Sequence, residues 1–334
     1  MVNLKELLSA VLFGRCNHRS NYRQILALMY CLALASVYVG ALYVLVPSKV
    51  RKLDRDHSRH IQYRAFASLL VSVGAIASYP VFFCKSNDDG SSIFALSDFV
   101  FLPRLRSIVG VLIHTMILYF GCIVSGFLRV SELRKVALAR GQKQGSLPQE
   151  IFQRSIQPTL LSFFNPSSSS ELWISIRNLI VAPWTEEVVF RGCMVPALLG
   201  SGMSPLRVSL ISPLCFGVAH VHHAMTRLSK GEPLQQVILV TAFQFVYTSL
   251  FGSYAAYAFV RTGSVPAVTM SHAFCNWMGL PDFNFVQPRH PMYPYRKVLL
   301  ASFVFGVFGF KWGFSSGLLL PLPAQLPATL KNGM

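Results

Sequence analysis

The chain has 334 residues, of which 53% are hydrophobic and only 13% are charged, and its mean hydropathy is +0.47. A soluble globular domain carries roughly 25% charged residues, so the composition excludes one large soluble core and favours a polytopic membrane protein. The formal net charge of +17 is typical of basic loops that flank membrane spans and meet lipid headgroups, and we predict no nucleic-acid partner.

Eight apolar segments approach the ~20 residues that a membrane-spanning helix needs. Polar loops, most of them basic, separate these segments. The approximate bounds are 25–46, 65–84, 107–128, 172–200, 208–225, 234–260, 265–280 and 298–320. The fourth segment is too long for one straight span, and we expect Pro183 to kink or restart its helix. The seventh segment is short and is not expected to cross fully.

The predicted fold is therefore all-α: a polytopic bundle of about eight transmembrane segments around an intramembrane polar cavity. We predict a single integral-membrane domain over residues 1–334, with a motif-bearing core at about 172–280. The first, third, fifth and seventh loops together carry more Lys and Arg than the opposite side. The positive-inside rule places these loops in the cytosol.

The seven cysteines lie mostly in apolar runs, their number is odd, and none forms a Cys-x-x-Cys pair. This pattern predicts buried, small apolar side chains rather than a disulfide framework or a zinc site.

Glu186 and Glu187 are adjacent acidic residues deep inside the fourth apolar segment. A carboxylate at membrane depth costs at least ~2.5 kcal/mol, so their presence favours a functional role. On a helix, Glu187 and Arg191 share one face by i, i+4 spacing, whereas Glu186 projects about 100° away towards a different neighbour. We predict that Arg191 compensates Glu187 and that Glu186 remains available as a general base. A structural Glu–Arg pair would explain Glu187 but not Glu186.

A second motif places Phe216 and His220 on one helical face, followed closely by His222 and His223. His220 is a candidate to hold or activate a water molecule together with Glu186. Three histidines and a carboxylate also fit zinc, but the chain has no His-Glu-x-x-His motif. His222 and His223 lie near the polar end of the segment, where interfacial histidines are ordinary.

A third motif places His272 and Asn276 on one face of an apolar helix, again at i, i+4 spacing. Two side-chain donors directed at one point can form an oxyanion hole. The alternative is a hydrogen bond between helices in lipid. His114 stands alone in its segment and is expected to be an interior histidine.

The three motifs in this order resemble the CAAX prenyl protease 2 family, the Ras-converting CAAX endopeptidases, within the wider group of CAAX-processing and bacteriocin-processing membrane proteins. The matching residues are Glu186, Glu187, Arg191, Phe216, His220, His272 and Asn276. The chain length, the hydropathy and the basic loop before the glutamate segment resemble the eukaryotic branch. Before residue 172 the likeness is one of layout only.

This resemblance implies a multi-pass endopeptidase of the endoplasmic reticulum membrane that is accessible from the cytosol. It implies removal of the last three residues from farnesylated or geranylgeranylated CAAX proteins such as Ras-type small GTPases, by a glutamate protease without metal or cofactor. Glu186 and His220 would then activate water, and His272 and Asn276 would stabilise the oxyanion. Glu187, Arg191 and Phe216 would support the site, and membrane lipids would surround the bundle.

Two alternatives remain open from the sequence. One is a zinc-dependent membrane protease, which would use the histidines as metal ligands. The other is a non-enzymatic scaffold, immunity-type or transport protein of the same fold, which would use the polar residues for packing or ion passage.

Overall fold

The computed structural model describes residues 20–82, 105–139, 166, 168–220 and 222–317. Within these ranges, the structure describes the backbone but not the side chains of residues 20–21, 80–82, 137–139, 218–220, 222–223 and 226. All regular secondary structure in the described ranges is helical, so the predicted all-α class is confirmed.

The α-helices are α1 (Ser20–Val44), α2 (Ser48–Arg51), α3 (Ser58–Phe82), α4 (Leu105–Leu118), α5 (Phe120–Ala139), α6 (Ser169–Ile176), α7 (Ala182–Glu187), α8 (Met194–Gly200), α9 (Pro205–His220), α10 (His222–Ser229), α11 (Leu234–Thr262), α12 (Val265–Met278) and α13 (Arg296–Ser316). Two π-helical segments, Arg177–Val181 and Val188–Cys193, join α6, α7 and α8 into one helical run. Short 3₁₀ helices at Asn284–Val286 and Tyr293–Tyr295 precede α13.

Four helices in the described ranges are long and apolar enough to cross a membrane. They are Tyr22–Val44, Ser58–Tyr79, Leu234–Thr262 and Tyr293–Ser316. A fifth span results if α4 and α5, which are bent by 71° relative to each other, count as one broken crossing. The structure is therefore an all-α membrane bundle with fewer helices of spanning length than the eight predicted segments.

The difference in number has a local cause in two of the predicted segments. The long fourth segment is divided by its two π-helical parts, so none of its α-helical pieces exceeds 8 residues. Helix α12 has only 14 residues, below the ~20 that a straight span needs. The short seventh segment was expected not to cross fully, and α12 agrees with that expectation.

Helices α11 and α12 are joined by a tight connection that fixes where α12 begins. Helix α11 ends at Thr262 and is capped by Gly263, whose φ of +60° is a left-handed conformation that glycine adopts without strain. The Ser264 side chain then accepts a hydrogen bond from the Ala267 backbone N–H at 3.3 Å, and Pro266 occupies the first turn of α12. This connection places the motif residues of α12 beside α11 and α7.

The run from Glu187 to Leu199 is continuously buried and forms the centre of the bundle. Helix α7 packs on α12 and α3, and α9 packs along α11. Large apolar side chains such as Phe66, Leu239 and Phe305 are exposed on the outer faces. A lipid environment accepts such side chains, whereas water would disfavour them in this number.

Two minor sequence predictions are confirmed. His114 is fully buried, its Nε2 lies 2.9 Å from the Phe310 carbonyl oxygen, and its ring stacks on Phe310 at 4.2 Å. Cys16 and Cys84 lie outside the described residues; the other five cysteines are free thiols, and all of these except the half-buried Cys122 are buried, as predicted.

Candidate active site

The two adjacent glutamates end α7, a six-residue helix between the two π-helical segments. Pro183 lies in the first turn of α7, immediately after the first π-helical segment. Proline has no backbone N–H, so a regular α-helix cannot continue unchanged through this point. The helix restarts there, as the sequence predicted, and π-helical turns of this kind are frequent at functional sites.

Glu187 is fully buried and accepts two charged or polar contacts through a single oxygen. Its Oε1 accepts a hydrogen bond from Arg191 Nη1 at 3.1 Å, which forms the predicted ion pair. His272 Nδ1 lies 2.8 Å from the same oxygen. Because an ionised carboxylate only accepts hydrogen bonds, Nδ1–H donates to Glu187. Glu187 therefore fixes the orientation of the His272 ring.

Glu186 is more accessible than its neighbour, with 17% of its side chain exposed against 0% for Glu187. Its Oε2 lies 3.9 Å from His272 Nε2. The sequence prediction directed the two glutamates towards different neighbours. The structure instead places one imidazole within reach of both, because its two nitrogens lie on opposite sides of the ring.

Aromatic rings enclose the Glu187–Arg191 pair. The Arg191 Cζ lies 4.5 Å from the centre of the Phe216 ring, a distance suited to a cation–π interaction. Phe190 contacts Phe216 edge-on, with 5.0 Å between ring centres. Phe251 of α11 lies 4.9 Å from the His272 ring. Phe216 was predicted to support the site, whereas Phe251 carried no sequence signal because phenylalanine in an apolar helix is unremarkable.

Asn276 lies one helical turn after His272 and binds a backbone carbonyl oxygen of the glutamate segment. Its side-chain Nδ2 donates to the Asn178 carbonyl oxygen at 3.0 Å, and the residue is exposed. The structure therefore shows no described contact that joins His272 and Asn276 at one point. One of the two Nδ2 hydrogens remains available, since an amide nitrogen carries two donors.

His220 ends helix α9, but its side chain lies outside the described part of the structure, as do those of His222 and His223. Phe216, four residues before His220, contacts the site. Among the described side chains, no group of three or more His, Cys, Asp or Glu residues is arranged to hold a metal ion.

Hydrogen bonds from α1 and α3 hold the start of the glutamate helix in place. The Tyr38 hydroxyl and the Thr185 Oγ1 lie 3.0 Å apart. Ser72 Oγ donates to the Thr185 carbonyl oxygen at 3.4 Å. None of these residues carried a functional signal in the sequence, because their contacts join helices that are far apart along the chain.

Glu186 lines a cavity of about 100 Å³ between α1, α3 and the glutamate helix. This volume exceeds the ~10–15 Å³ that one water molecule requires. The lining residues that carry charge are Arg55, Arg64, Arg177 and Glu186. Of the two glutamates, Glu186 is therefore the one that a substrate or a water molecule can reach.

Comparison with known proteins gives matches over most of the chain. The family model "Type II CAAX prenyl endopeptidase Rce1-like" matches residues 168–278. CAAX prenyl protease 2 of Homo sapiens is 35% identical over 282 residues, which cover 83% of this chain and 76% of the human protein. CAAX prenyl protease 2 of Arabidopsis thaliana is 30% identical over 306 residues, which cover 90% of each chain.

A further relative, the probable CAAX prenyl protease 2 of Schizosaccharomyces pombe, is 36% identical over 144 residues, or 42% of this chain and 52% of that protein. No solved structure is significantly similar to the chain. The family model covers the glutamate helix, α9 and α12, which carry the three motifs. With matches of this extent in human and plant proteins, the chain belongs to the CAAX prenyl protease 2 family.

Proposed function

We propose that this membrane protease removes the C-terminal three residues from prenylated proteins that end in a Cys-a-a-X box. The curated relatives carry the name CAAX prenyl protease 2. The observation that carries the proposal is the accessible Glu186 carboxylate, which lies in a cavity of the bundle beside His272. The family membership supports the reaction class, and the cavity supports the position of the chemistry.

Glu186 is the proposed general base. A water molecule in the cavity would lose a proton to Glu186 as its oxygen attacks the carbonyl carbon of the prenylated cysteine. The C–N bond to the next residue then breaks, and the proton passes from Glu186 to the leaving amine. Glu187 cannot take this role because its carboxylate is fully buried. His220 is proposed to hold the same water, since it follows Phe216 by one helical turn on α9.

His272 and Asn276 are the proposed donors to the negative oxygen of the tetrahedral intermediate. Since Nδ1–H of His272 donates to Glu187, Nε2 is the nitrogen that faces Glu186, and an N–H there would donate to the oxyanion. Asn276 uses one N–H to bind Asn178 and retains the other. Placed donors of this kind stabilise developing charge, and removal of one typically costs about 10²–10³-fold in kcat.

Glu187 and Arg191 are proposed to position His272 rather than to touch the substrate. The Arg191 charge offsets the Glu187 charge in a buried setting, and Phe216 covers the guanidinium. Without Arg191 the buried carboxylate would be uncompensated, which is strongly unfavourable. We also propose a single domain over residues 1–334, which is supported by the contacts of α1 and α3 with the glutamate helix.

The membrane location suits the proposed substrate. A prenyl chain partitions into lipid with about 0.8 kcal/mol per buried CH₂ group, so it can reach a site in the bundle from the side. The peptide would enter from the cytosol. We propose the endoplasmic reticulum as the compartment and Ras-type small GTPases, farnesylated or geranylgeranylated, among the substrates.

The direct test uses the purified full chain in detergent or lipid nanodiscs with a farnesylated Cys-a-a-X peptide. Mass spectrometry should find the free tripeptide and a peptide that ends in farnesylcysteine. The same peptide without the prenyl group is the control and should remain intact. Absence of tripeptide release, or a cut at another bond, would overturn the proposal.

A further inference from the structure

The cavity that Glu186 lines carries an excess of positive charge. Arg55, Arg64 and Arg177 contribute to its walls, and among the described lining residues Glu186 is the single acidic one. The three arginines come from separate parts of the chain: Arg55 precedes α3, Arg64 lies in α3, and Arg177 starts the first π-helical segment. Asp56, which pairs with Arg177, and Glu186 supply two carboxylates against these three guanidinium groups, so the cavity favours an additional anion.

Arg64 and Arg177 differ in how they are held. Arg177 donates from Nη1 to Asp56 at 2.7 Å and from Nε to the Asn178 side chain at 2.9 Å. Arg64 is half-buried, and within the part of the chain that the structure describes it forms no hydrogen bond or ion pair. A partly desolvated cation without a counter-ion is costly, and a bound anion would offset that cost.

We infer that Arg64, with the charges of Arg55 and Arg177 beside it, binds the terminal α-carboxylate of the substrate. This inference rests on the proposed function, because that reaction requires a substrate with a free C terminus close to the cut bond. Three extended residues span about 10 Å, so the carboxylate and the attacked carbonyl lie within one continuous binding cleft. A planar guanidinium can donate two parallel hydrogen bonds to a carboxylate.

A carboxylate anchor in this cavity would also determine how many residues are removed. The attacking water is tied to Glu186, and the C terminus would be tied to Arg64. In this proposal, a peptide with three residues after the prenylcysteine bridges these two points when it is extended. A peptide lengthened by one residue would have to bulge or leave the anchor, and it should be cut more slowly.

The test compares two farnesylated peptides that are identical except for a free C-terminal carboxylate or a C-terminal amide. The wild-type protein should favour the carboxylate peptide by about 10–100-fold in kcat/KM, the range expected for a hydrogen-bonded charge pair. Arg64→Gln should lower cleavage of the carboxylate peptide towards that of the amide and leave the amide little changed. Arg64→Lys should retain part of the preference, since it keeps the charge but not the planar fork.

Arg59→Gln is the matched control, because Arg59 is exposed on the same helix and does not line the cavity. It should retain the full wild-type preference. Both peptides are measured on one protein sample, so the ratio does not depend on the folded fraction. An equal loss with both peptides in Arg64→Gln would contradict carboxylate binding.

A lipid headgroup is the other anion that could occupy the arginines. The assay is therefore repeated in nanodiscs of neutral lipid and of mixed neutral and anionic lipid. If Arg64→Gln changes kcat/KM by an amount that depends on the lipid charge and is the same for the carboxylate and amide peptides, the inference is overturned. Wild-type protein that cleaves both peptides equally would overturn the inference alone, whereas wild-type protein that cleaves neither would also overturn the proposed function.

Discussion

His272 links two glutamates that are adjacent in sequence but differ in accessibility. Its Nδ1 is 2.8 Å from the buried Glu187, and its Nε2 is 3.9 Å from the accessible Glu186. The i, i+4 rule predicted the Glu187–Arg191 pair, and the pair forms even though Arg191 lies in the π-helical segment that follows α7. It could not predict the contact with His272, which is 85 residues further along the chain and depends on how α12 packs against α7.

The buried pair of Glu187 and Arg191 should contribute strongly to stability. Glu187→Gln leaves the Arg191 charge buried without a counter-ion, which should cost about 3–5 kcal/mol of stability. Thermal unfolding in detergent measures the change. The control is Glu232→Gln, which removes a partly exposed ion pair with Arg227 at 3.2 Å and should cost at most about 1 kcal/mol. Equal melting temperatures for the two variants would contradict the assigned role of Glu187.

Asn276 provides the second residue-scale prediction. If its second N–H binds the oxyanion, Asn276→Ala should lower kcat for a farnesylated Cys-a-a-X peptide by about 10²–10³-fold. The melting temperature should change little, because the residue is exposed. Asn284→Ala, at another exposed asparagine, should leave kcat unchanged. A kcat near the wild-type value in Asn276→Ala would show that Asn276 does not bind the oxyanion and only contacts Asn178.

At the scale of elements, one structural feature of the glutamate helix could be predicted from the sequence and another could not. The proline signal correctly placed a restart of the helix at Pro183. The two π-helical segments on either side had no signal, because hydrophobic periodicity does not distinguish one widened turn inside a continuous apolar run. These turns change the direction of the following side chains, so the neighbours of Glu186 and Glu187 could not be derived from α-helical spacing alone.

The contact between α9 and α11 gives a prediction at this scale. A Cβ added at Gly252 would lie 2.8 Å from Pro213 Cβ and 3.2 Å from Arg191 Nη2. Gly252→Ala should therefore push α9 away or displace Arg191, with a stability loss of about 1–3 kcal/mol and reduced peptide cleavage.

Gly74→Ala is the matched control for this experiment, because an added Cβ at Gly74 has no atom within 4 Å. Alanine is also favoured over glycine in helices by up to about 1 kcal/mol. Thermal unfolding and peptide cleavage are measured for both variants. A Gly252→Ala protein as stable and active as Gly74→Ala would show that the close approach of α11 to Arg191 is not required.

For the whole molecule, composition and hydropathy predicted the class correctly: an all-α membrane bundle with polar residues at its centre. The described residues contain fewer helices of spanning length than the sequence has apolar segments, since an apolar segment can form a shorter helix that ends inside the bundle. Helix α12 illustrates this, because its Ser264 cap and Gly279 end limit it to 14 residues. Sequence therefore identified the apolar segments, while packing and capping determined their lengths.

The bundle predicts how the protein behaves in membranes. Because apolar side chains cover its outer helices, alkaline carbonate should leave the protein in the membrane pellet, and non-ionic detergent should release it. Immunoblotting of pellet and supernatant checks this prediction. Recovery in the carbonate supernatant would show that the apolar helices do not span the bilayer.

The central claim is that Glu186 is the general base of a CAAX endopeptidase, and Glu186→Gln tests it most directly. The measurement is kcat for tripeptide release from a farnesylated Cys-a-a-X peptide, with Glu232→Gln as the control. Loss of a general base should lower kcat by about 10²–10⁴-fold, while the control remains near wild type. A Glu186→Gln protein that releases the tripeptide at the wild-type rate would contradict the claim.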